Sequence, residues 1–149
     1  MQELRPTSFS FPILYLMIKQ KTGTITIPPG VFPDRHEKMT ADFLAEKLGF
    51  DVVFLVPARR ANTRTPDVRM AGVLWEIKSP SGRGSRTIEN CLRTALLQSP
   101  NIVLSLRRMD ARIPTYKLVR EVERQFRLSR NINRIIIITK QQKIVDITR

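Results

Sequence analysis

The residues of this chain whose types and spacing could do chemistry lie between Thr65 and Lys78, TPDVRMAGVLWEIK, where eight residues separate Asp67 from Glu76 and Lys78 follows two positions later. In an extended strand alternate side chains take opposite faces, so from Val73 to Lys78 one face carries Leu74, Glu76 and Lys78 and the other Val73, Trp75 and Ile77. Glu76 and Lys78 therefore point the same way. Ala71-Gly72 is a candidate tight reversal, because glycine takes a positive φ without strain, and folding back there sets Asp67 beside the Glu76 strand. Two carboxylates and one ammonium then share a cleft. Hard oxygen ligands suit Mg²⁺ or Mn²⁺, and an ion held by Asp67, Glu76 and a backbone carbonyl polarises a phosphate and acidifies a water, which Lys78 holds or activates. The bare pattern is also what solvated surface charge looks like. Its place in otherwise apolar strands flanked by helical patterns is what favours a site.

Composition names the kind of partner. The 149 residues carry 26 Lys and Arg against 13 Asp and Glu, a net charge of +13, which favours a polyanion. Residues 1–82 hold 11 basic and 8 acidic side chains, whereas residues 83–149 hold 15 and 5, so the C-terminal half is the expected phosphate-facing surface. Charge alone separates neither DNA from RNA nor an enzyme from a passive binder. A single cysteine, Cys91, excludes an intramolecular disulfide and points to a reducing compartment. The apolar run Ile13 to Ile18 falls far short of the ~20 residues that span a bilayer, and residues 1–12 lack the pattern of a secretory signal. Neither a membrane segment nor an address is expected.

The elements that must position the acids follow from pattern. Residues 13–18 and 23–27 read as two short strands before the Pro28-Pro29-Gly30 break, an N-terminal extension or hairpin of residues 1–30 ahead of a single domain of residues 31–149. Asp34 to Leu48 reads as a helix: Asp34 caps it with Glu37 three residues on, and Gly49 ends it. At about 100° per residue Glu37 shares an arc with Ala41, Leu44 and Leu48, an acid near the inward face. Glu37 either completes a capping box or joins the site, and His36 reads as a packed or capping side chain. Phe50 to Val56 is an apolar strand of the kind covered on both faces. Arg59 and Arg60, in the loop that follows, either contact phosphate or are solvated.

After Lys78, Ser79 to Arg86 is a flexible basic loop bearing Arg83 and Arg86, and Thr87 is a candidate N-cap for a helix from Ile88 to Gln98. Asn101 to Leu106 is a second buried strand, and Arg107, Arg108 and Arg112 follow it. A helix from Pro114 to about Leu128 has Tyr116, Leu118, Val119, Val122 and Phe126 on its apolar side. Its basic side chains, Arg124 among them, either meet RNA or form a solvated face. Arg134 to Thr139 and Lys143 to Thr148 form a hairpin. The order fits an α/β fold, a mixed central sheet flanked by helices.

Pro-Asp, eight residues, then Glu-x-Lys resembles the signature of the PD-(D/E)xK nucleases, the restriction-endonuclease-like superfamily. The succession WEIKSPSG, TIENCLRTALLQ and NIVLSL is similar to the C-terminal tRNase domains of contact-dependent growth inhibition toxins and related polymorphic bacterial toxins. That similarity spans about residues 34–106. It implies a restriction-endonuclease-like sandwich and a metal-dependent endoribonuclease that cleaves tRNA in the cytoplasm of a bacterial target cell. It also implies catalysis by Asp67, Glu76, Lys78 and Glu37, with Mg²⁺ (or Mn²⁺ or Zn²⁺) on Asp67 and Glu76. Ser79, Thr87 and Gln98 become secondary site residues, although Thr87 also reads as a cap and Gln98 as a helix end. A nuclease of this kind kills its own producer, so a dedicated acidic inhibitor (immunity) protein is expected. Two other readings stay open: a DNA endonuclease of the same superfamily, and a non-catalytic basic RNA-binding module. Base-stacking aromatics interleaved with basic residues, which would favour the module, are missing.

Overall fold

The run Arg134-Ile-Ile-Ile-Ile138 has no polar position to offer solvent after its first residue, and all four isoleucines are buried. A strand of that kind needs cover on both faces, and it sits in a sheet that has it. The computed structural model describes residues 21–60 and 63–149. Along the chain come β1 (Ile25–Thr26), α1 (Arg35–Leu48), β2 (Val52–Phe54), β3 (Val68–Met70), β4 (Val73–Lys78), α2 (Thr87–Leu96), β5 (Asn101–Ser105), α3 (Thr115–Leu128), β6 (Arg134–Ile138) and β7 (Ile144–Thr148).

The seven strands lie side by side in sequence order, β1 to β7. Strands β4, β5 and β6 run parallel, β3 and β7 are antiparallel to their neighbours on the inner side, and β1 pairs parallel with β2. This is the expected α/β class with a mixed sheet. Helix α1 covers one face, packing Ala41 and Leu44 on Val52, Trp75, Ile77, Val103, Ile136 and Ile138. Helices α2 and α3 cover the other, with Leu92, Val122 and Phe126 against Ile102, Leu104, Ile135 and Ile137. The alternation of odd and even isoleucines in β6 between these two clusters is the period-two geometry of a strand.

Several boundaries differ from expectation. The expected strand over 13–18 lies outside the described residues, while Ile25–Thr26 forms the sheet's edge beside β2. Phe50 to Val56 contracts to Val52–Phe54. Its neighbours supply only two and three residues of ladder, and Val56 is exposed. Thr87 is not a cap but the first residue of α2; the chain already turns at that point, with the Thr87 N–H donating to Gly84 O, and Arg86 takes the cap position without a side-chain hydrogen bond.

Candidate active site

Residues 71 and 72 build the site's frame. Ala71 and Gly72 both take positive φ, 52° and 72°, closing a two-residue hairpin that pairs Met70 with Val73 and Val68 with Trp75. Two positive φ angles make a type I′ turn, whose twist matches that of the strands it joins. The register then sets Asp67, just before β3, across from Glu76. The Asp67 N–H donates to Trp75 O at 3.0 Å, and Asp67 Oδ2 accepts the Ile77 N–H at 2.8 Å. Trp75 pins the hairpin from the α1 side, its indole N–H donating to Met70 O at 3.1 Å.

With Trp75 and Ile77 turned toward α1, Glu76 and Lys78 face α2. Glu76 is only 4% exposed. Its Oε1 lies 3.0 Å from Lys78 Nζ, while Oε2 is buried with no hydrogen-bond partner among the described residues. Burial, and then repulsion from Asp67, push the Glu76 carboxyl up to about 7 against the opposing pull of Lys78. Burial also raises Asp67, although the Ile77 N–H and the Lys78 charge oppose it. Burial alone would lower the Lys78 ammonium; the hydrogen bond and charge of Glu76, with Asp67, carry it above its ordinary value. Buried together and mutually repelling, the two carboxyl groups favour keeping a proton when no cation is bound.

Lys78 opens into a cleft of about 490 Å³, bounded by Ser79 and Pro80 on one side and by Thr87, Asn90, Cys91 and Thr94 of α2 on the other. The α2 residues recur at intervals of three and four, one stripe of a helix. That spacing is visible in the sequence, where Thr87 alone of the four is a candidate site residue. Burial raises the Cys91 thiol to about 11, so it is no thiolate.

Among the described residues no three of His, Cys, Asp and Glu gather as a ligand set. What the chain could offer a metal is the Asp67–Glu76 pair. That pair fits a hard divalent cation: its repulsion would be relieved, and the unpartnered Glu76 Oε2 would gain a partner. Mg²⁺ commonly takes one or two carboxylates and fills its other positions with water and substrate phosphate.

The profile of the contact-dependent growth inhibition CdiA C-terminal domain family matches residues 64–144, a span that contains Asp67, Glu76 and Lys78. The chain belongs to this family. It is therefore a toxin effector domain of contact-dependent growth inhibition, the C-terminal part of a larger protein. The fold is similar to a chain of the CdiA-CT/CdiI toxin and immunity complex from Burkholderia pseudomallei, with a TM-score of 0.58 over 85% of this chain and 100% of that one, at 21% sequence identity. No curated protein matches it. Among its described residues no helix is long and apolar enough to cross a membrane.

Glu37 lies outside the matched span of this CdiA C-terminal domain. The capping box is present: Asp34 Oδ1 accepts the His36 and Glu37 N–H groups at 2.7 and 2.9 Å, and the Asp34 N–H donates to Glu37 Oε2 at 3.1 Å. Burial raises the Glu37 carboxyl, and so does the charge of Asp67. The cap thus holds Glu37 where it senses Asp67 without completing a three-acid ligand set. Gln98 follows the end of α2, so it lies at the opposite end of that helix from Thr87. Its Oε1 is buried without a partner among the described residues, and it does not line the Lys78 cleft.

The expected nucleic-acid contacts of the CdiA C-terminal domain sort into paired and available groups. Arg86 and Arg93 both bridge Glu89, at 3.3 and 2.8 Å, and Arg124 bridges Glu121 at 3.0 Å. Arg59 and Arg60 are exposed before β3. Arg83 borders a cleft of about 290 Å³ together with Lys117. Arg107 and Arg108 sit beside the site, where Arg108 Nη1 donates to Ser79 O at 3.1 Å.

Proposed function

We propose that this CdiA C-terminal domain is a metal-dependent endonuclease that cleaves tRNA in the cytoplasm of a target bacterium. The observation that supports it most is the triad of a buried Glu76 between Asp67 and Lys78, of which Lys78 opens on a cleft walled by hydroxyl and amide side chains. Asp67 and Glu76 would hold Mg²⁺, or Mn²⁺ or Zn²⁺ in its place. Such an ion supplies charge that polarises the scissile phosphate and acidifies an attacking water. Lys78, fixed by Glu76 Oε1, donates to a phosphate oxygen or to that water and offsets the charge that builds as the phosphorus–oxygen bond forms. Ser79 and Thr87 line the approach and orient the strand by hydrogen bonds to its backbone. Glu37, held by its cap, adds negative charge near Asp67 and favours cation binding.

RNA is the favoured substrate because the succession from Trp75 to Leu106 resembles tRNase domains of such toxins; the net charge of +13 supports a polyanionic substrate without choosing between RNA and DNA. The similar fold from Burkholderia pseudomallei was solved as a toxin and immunity complex. A partner of the same kind is proposed for this chain, an acidic protein that covers the cleft and competes with phosphate. The deciding experiment incubates purified protein with total bacterial RNA and with plasmid DNA, each with and without EDTA. Loss of intact tRNA that EDTA prevents is the expected result. Nicking of plasmid alone would move the substrate to DNA, and binding without cleavage of either would leave a basic RNA-binding module.

A further inference from the structure

On the α1 side of the same sheet edge lies a second, smaller groove of about 180 Å³. Three guanidinium-bearing residues border it: Arg35 from the first turn of α1, and Arg107 and Arg108 from the chain just past β5. Its floor carries hydroxyls, those of Thr40 and Ser105, which are 2% and 1% exposed, and of Ser79. No residue that lines it is acidic. Three arginines converging without a lining carboxylate is an unusual local concentration of positive charge, since neighbouring arginines repel each other. Arg86, Arg93, Arg112, Arg124 and Arg134, by contrast, each face a carboxylate within 3.3 Å.

Planar guanidinium forks and hydroxyl donors are the groups that recognise phosphate, and they outnumber His36 and Met39, which complete the lining. The position is as informative as the chemistry. Ser79 borders both this groove and the Lys78 cleft, so the two openings meet across a single residue at the carboxyl end of β4. A polyanionic strand that places one phosphate at Lys78 passes over Ser79 and reaches the arginines with its next phosphate.

We infer that the groove of Arg35, Arg107 and Arg108 is a second phosphate subsite, which takes the phosphate adjoining the scissile one on a single RNA strand. The inference rests on the reading of the Lys78 cleft as a phosphodiester site. It assigns Arg35, Thr40 and Ser105 a role in substrate binding. Arg108 has a double part, because its hydrogen bond to Ser79 O ties the groove to the cleft floor. Binding across the two subsites fixes the strand's direction relative to the acid pair, which is how a nuclease with few base contacts can still cut in one geometry.

The test uses the purified protein in EDTA, so that binding is read without cleavage. Competition against a labelled single-stranded oligoribonucleotide compares ApA with pApA and ApAp, which differ by one terminal phosphate. Wild type should prefer one of the two phosphorylated dinucleotides over ApA by about tenfold, the scale of a charge-assisted hydrogen bond, and the preferred end gives the strand direction. Arg35→Gln and Arg107→Gln should erase that preference while leaving ApA affinity within about twofold. Each should lower the salt slope for the longer strand by about 0.7, the amount expected for one lost contact to single-stranded nucleic acid. Arg35→Lys should restore the slope. Arg130→Gln, at the opposite end of the sheet, controls for the lost charge, and thermal unfolding confirms that each variant is folded. Equal affinity of wild type for all three dinucleotides would overturn the subsite, as would an undiminished preference in both glutamine variants. If RNA is cleaved with EDTA-sensitive kinetics in the same preparation, that failure belongs to the subsite alone. If wild type neither cleaves nor binds RNA, the reading of the Lys78 cleft falls first and the subsite falls with it.

Discussion

Lys78 Nζ lies 3.0 Å from one oxygen of Glu76, and the other oxygen of the same carboxylate is buried with no hydrogen-bond partner among the described residues. A buried carboxylate oxygen without a partner is costly, on the order of 1–3 kcal/mol. The repulsion from Asp67 adds to that cost. Such an arrangement is destabilising for the folded protein alone, and it persists where something else benefits from it. On the proposed function, what benefits is a cation and a phosphate.

Stability should therefore depend on the protonation of Glu76. Its folded-state carboxyl is raised from 4.5 to about 7, so the folded chain binds this proton more tightly than the unfolded chain does. Stability from this group is then greatest below pH 4.5 and falls as pH rises toward 7. In EDTA, Glu76→Gln should remove that fall and leave the variant more stable than wild type at pH 8, by an amount on the order of 1–3 kcal/mol. Denaturant melts at pH 5 and pH 8 on both proteins measure it. Parallel pH profiles would mean that Glu76 is not strained.

Cation binding should relieve the same strain. Mg²⁺ or Mn²⁺ should raise the unfolding midpoint, by about 2.7 kcal/mol in stability at a hundredfold excess over the dissociation constant. The gain should be larger at pH 8 than at pH 6, because binding displaces the proton that the acid pair holds. Asp67→Asn and Glu76→Gln should each abolish the shift. Calcium-free thermal melts with titrated metal read this without any nuclease assay, and a shift that survives both variants would place the ion elsewhere.

The turn that creates the register makes its own prediction. Ala71 sits at φ 52°, where a side chain costs roughly 1 kcal/mol relative to glycine. Ala71→Gly should raise stability by up to about 1 kcal/mol and leave cleavage unchanged. Gly72→Val places a β-branched residue at φ 72° and should destabilise by 1–2 kcal/mol or more, with a loss of activity as Asp67 slips relative to Glu76. Chemical denaturation and a cleavage assay on the same variants check both halves. An active Gly72→Val protein would show that the hairpin register does not set the site.

This turn also shows what in the fold was legible in the sequence. Ala71-Gly72 between two short apolar strands, the alternation from Val73 to Lys78, and the Asp34–Glu37 capping box are local patterns, and local geometry determines them. The length of β2 was not local: the apolar run from Phe50 to Val56 is longer than the ladder its neighbours β1 and β3 provide, so only Val52–Phe54 pairs. Thr87 has the composition of a cap, but the Gly84 turn before it moved the helix start by one residue. The groove of Arg35, Thr40, Ser105 and Arg107 joins residues some 70 positions apart in the chain. No periodicity connects them; the packing of α1 on the face that carries Ile77 and Val103 brings them together.

The last prediction separates catalysis from binding. Asp67→Ala, Glu76→Ala and Lys78→Ala should each abolish RNA cleavage, and a double variant should be no worse than a single one, because groups that act as a unit are strongly non-additive. Lys78→Ala is the most informative of the three. It removes the ammonium that lies 3.0 Å from Glu76 Oε1, so the remaining acid pair should hold its proton more tightly and the variant should lose cation binding at pH 7 while regaining part of it at higher pH. RNA affinity in EDTA should stay near that of wild type in all three, since the phosphate-facing arginines are intact, and loss of an acid can even strengthen binding by relieving repulsion. Arg107→Gln should do the reverse, weakening affinity while preserving most of the single-turnover rate at saturating RNA. Both quantities measured on one variant set decide the outcome. If Lys78→Ala cuts RNA at the wild-type rate, the Glu-x-Lys assignment is wrong, and the cluster at Glu76 is a structural ion pair on a basic RNA-binding surface.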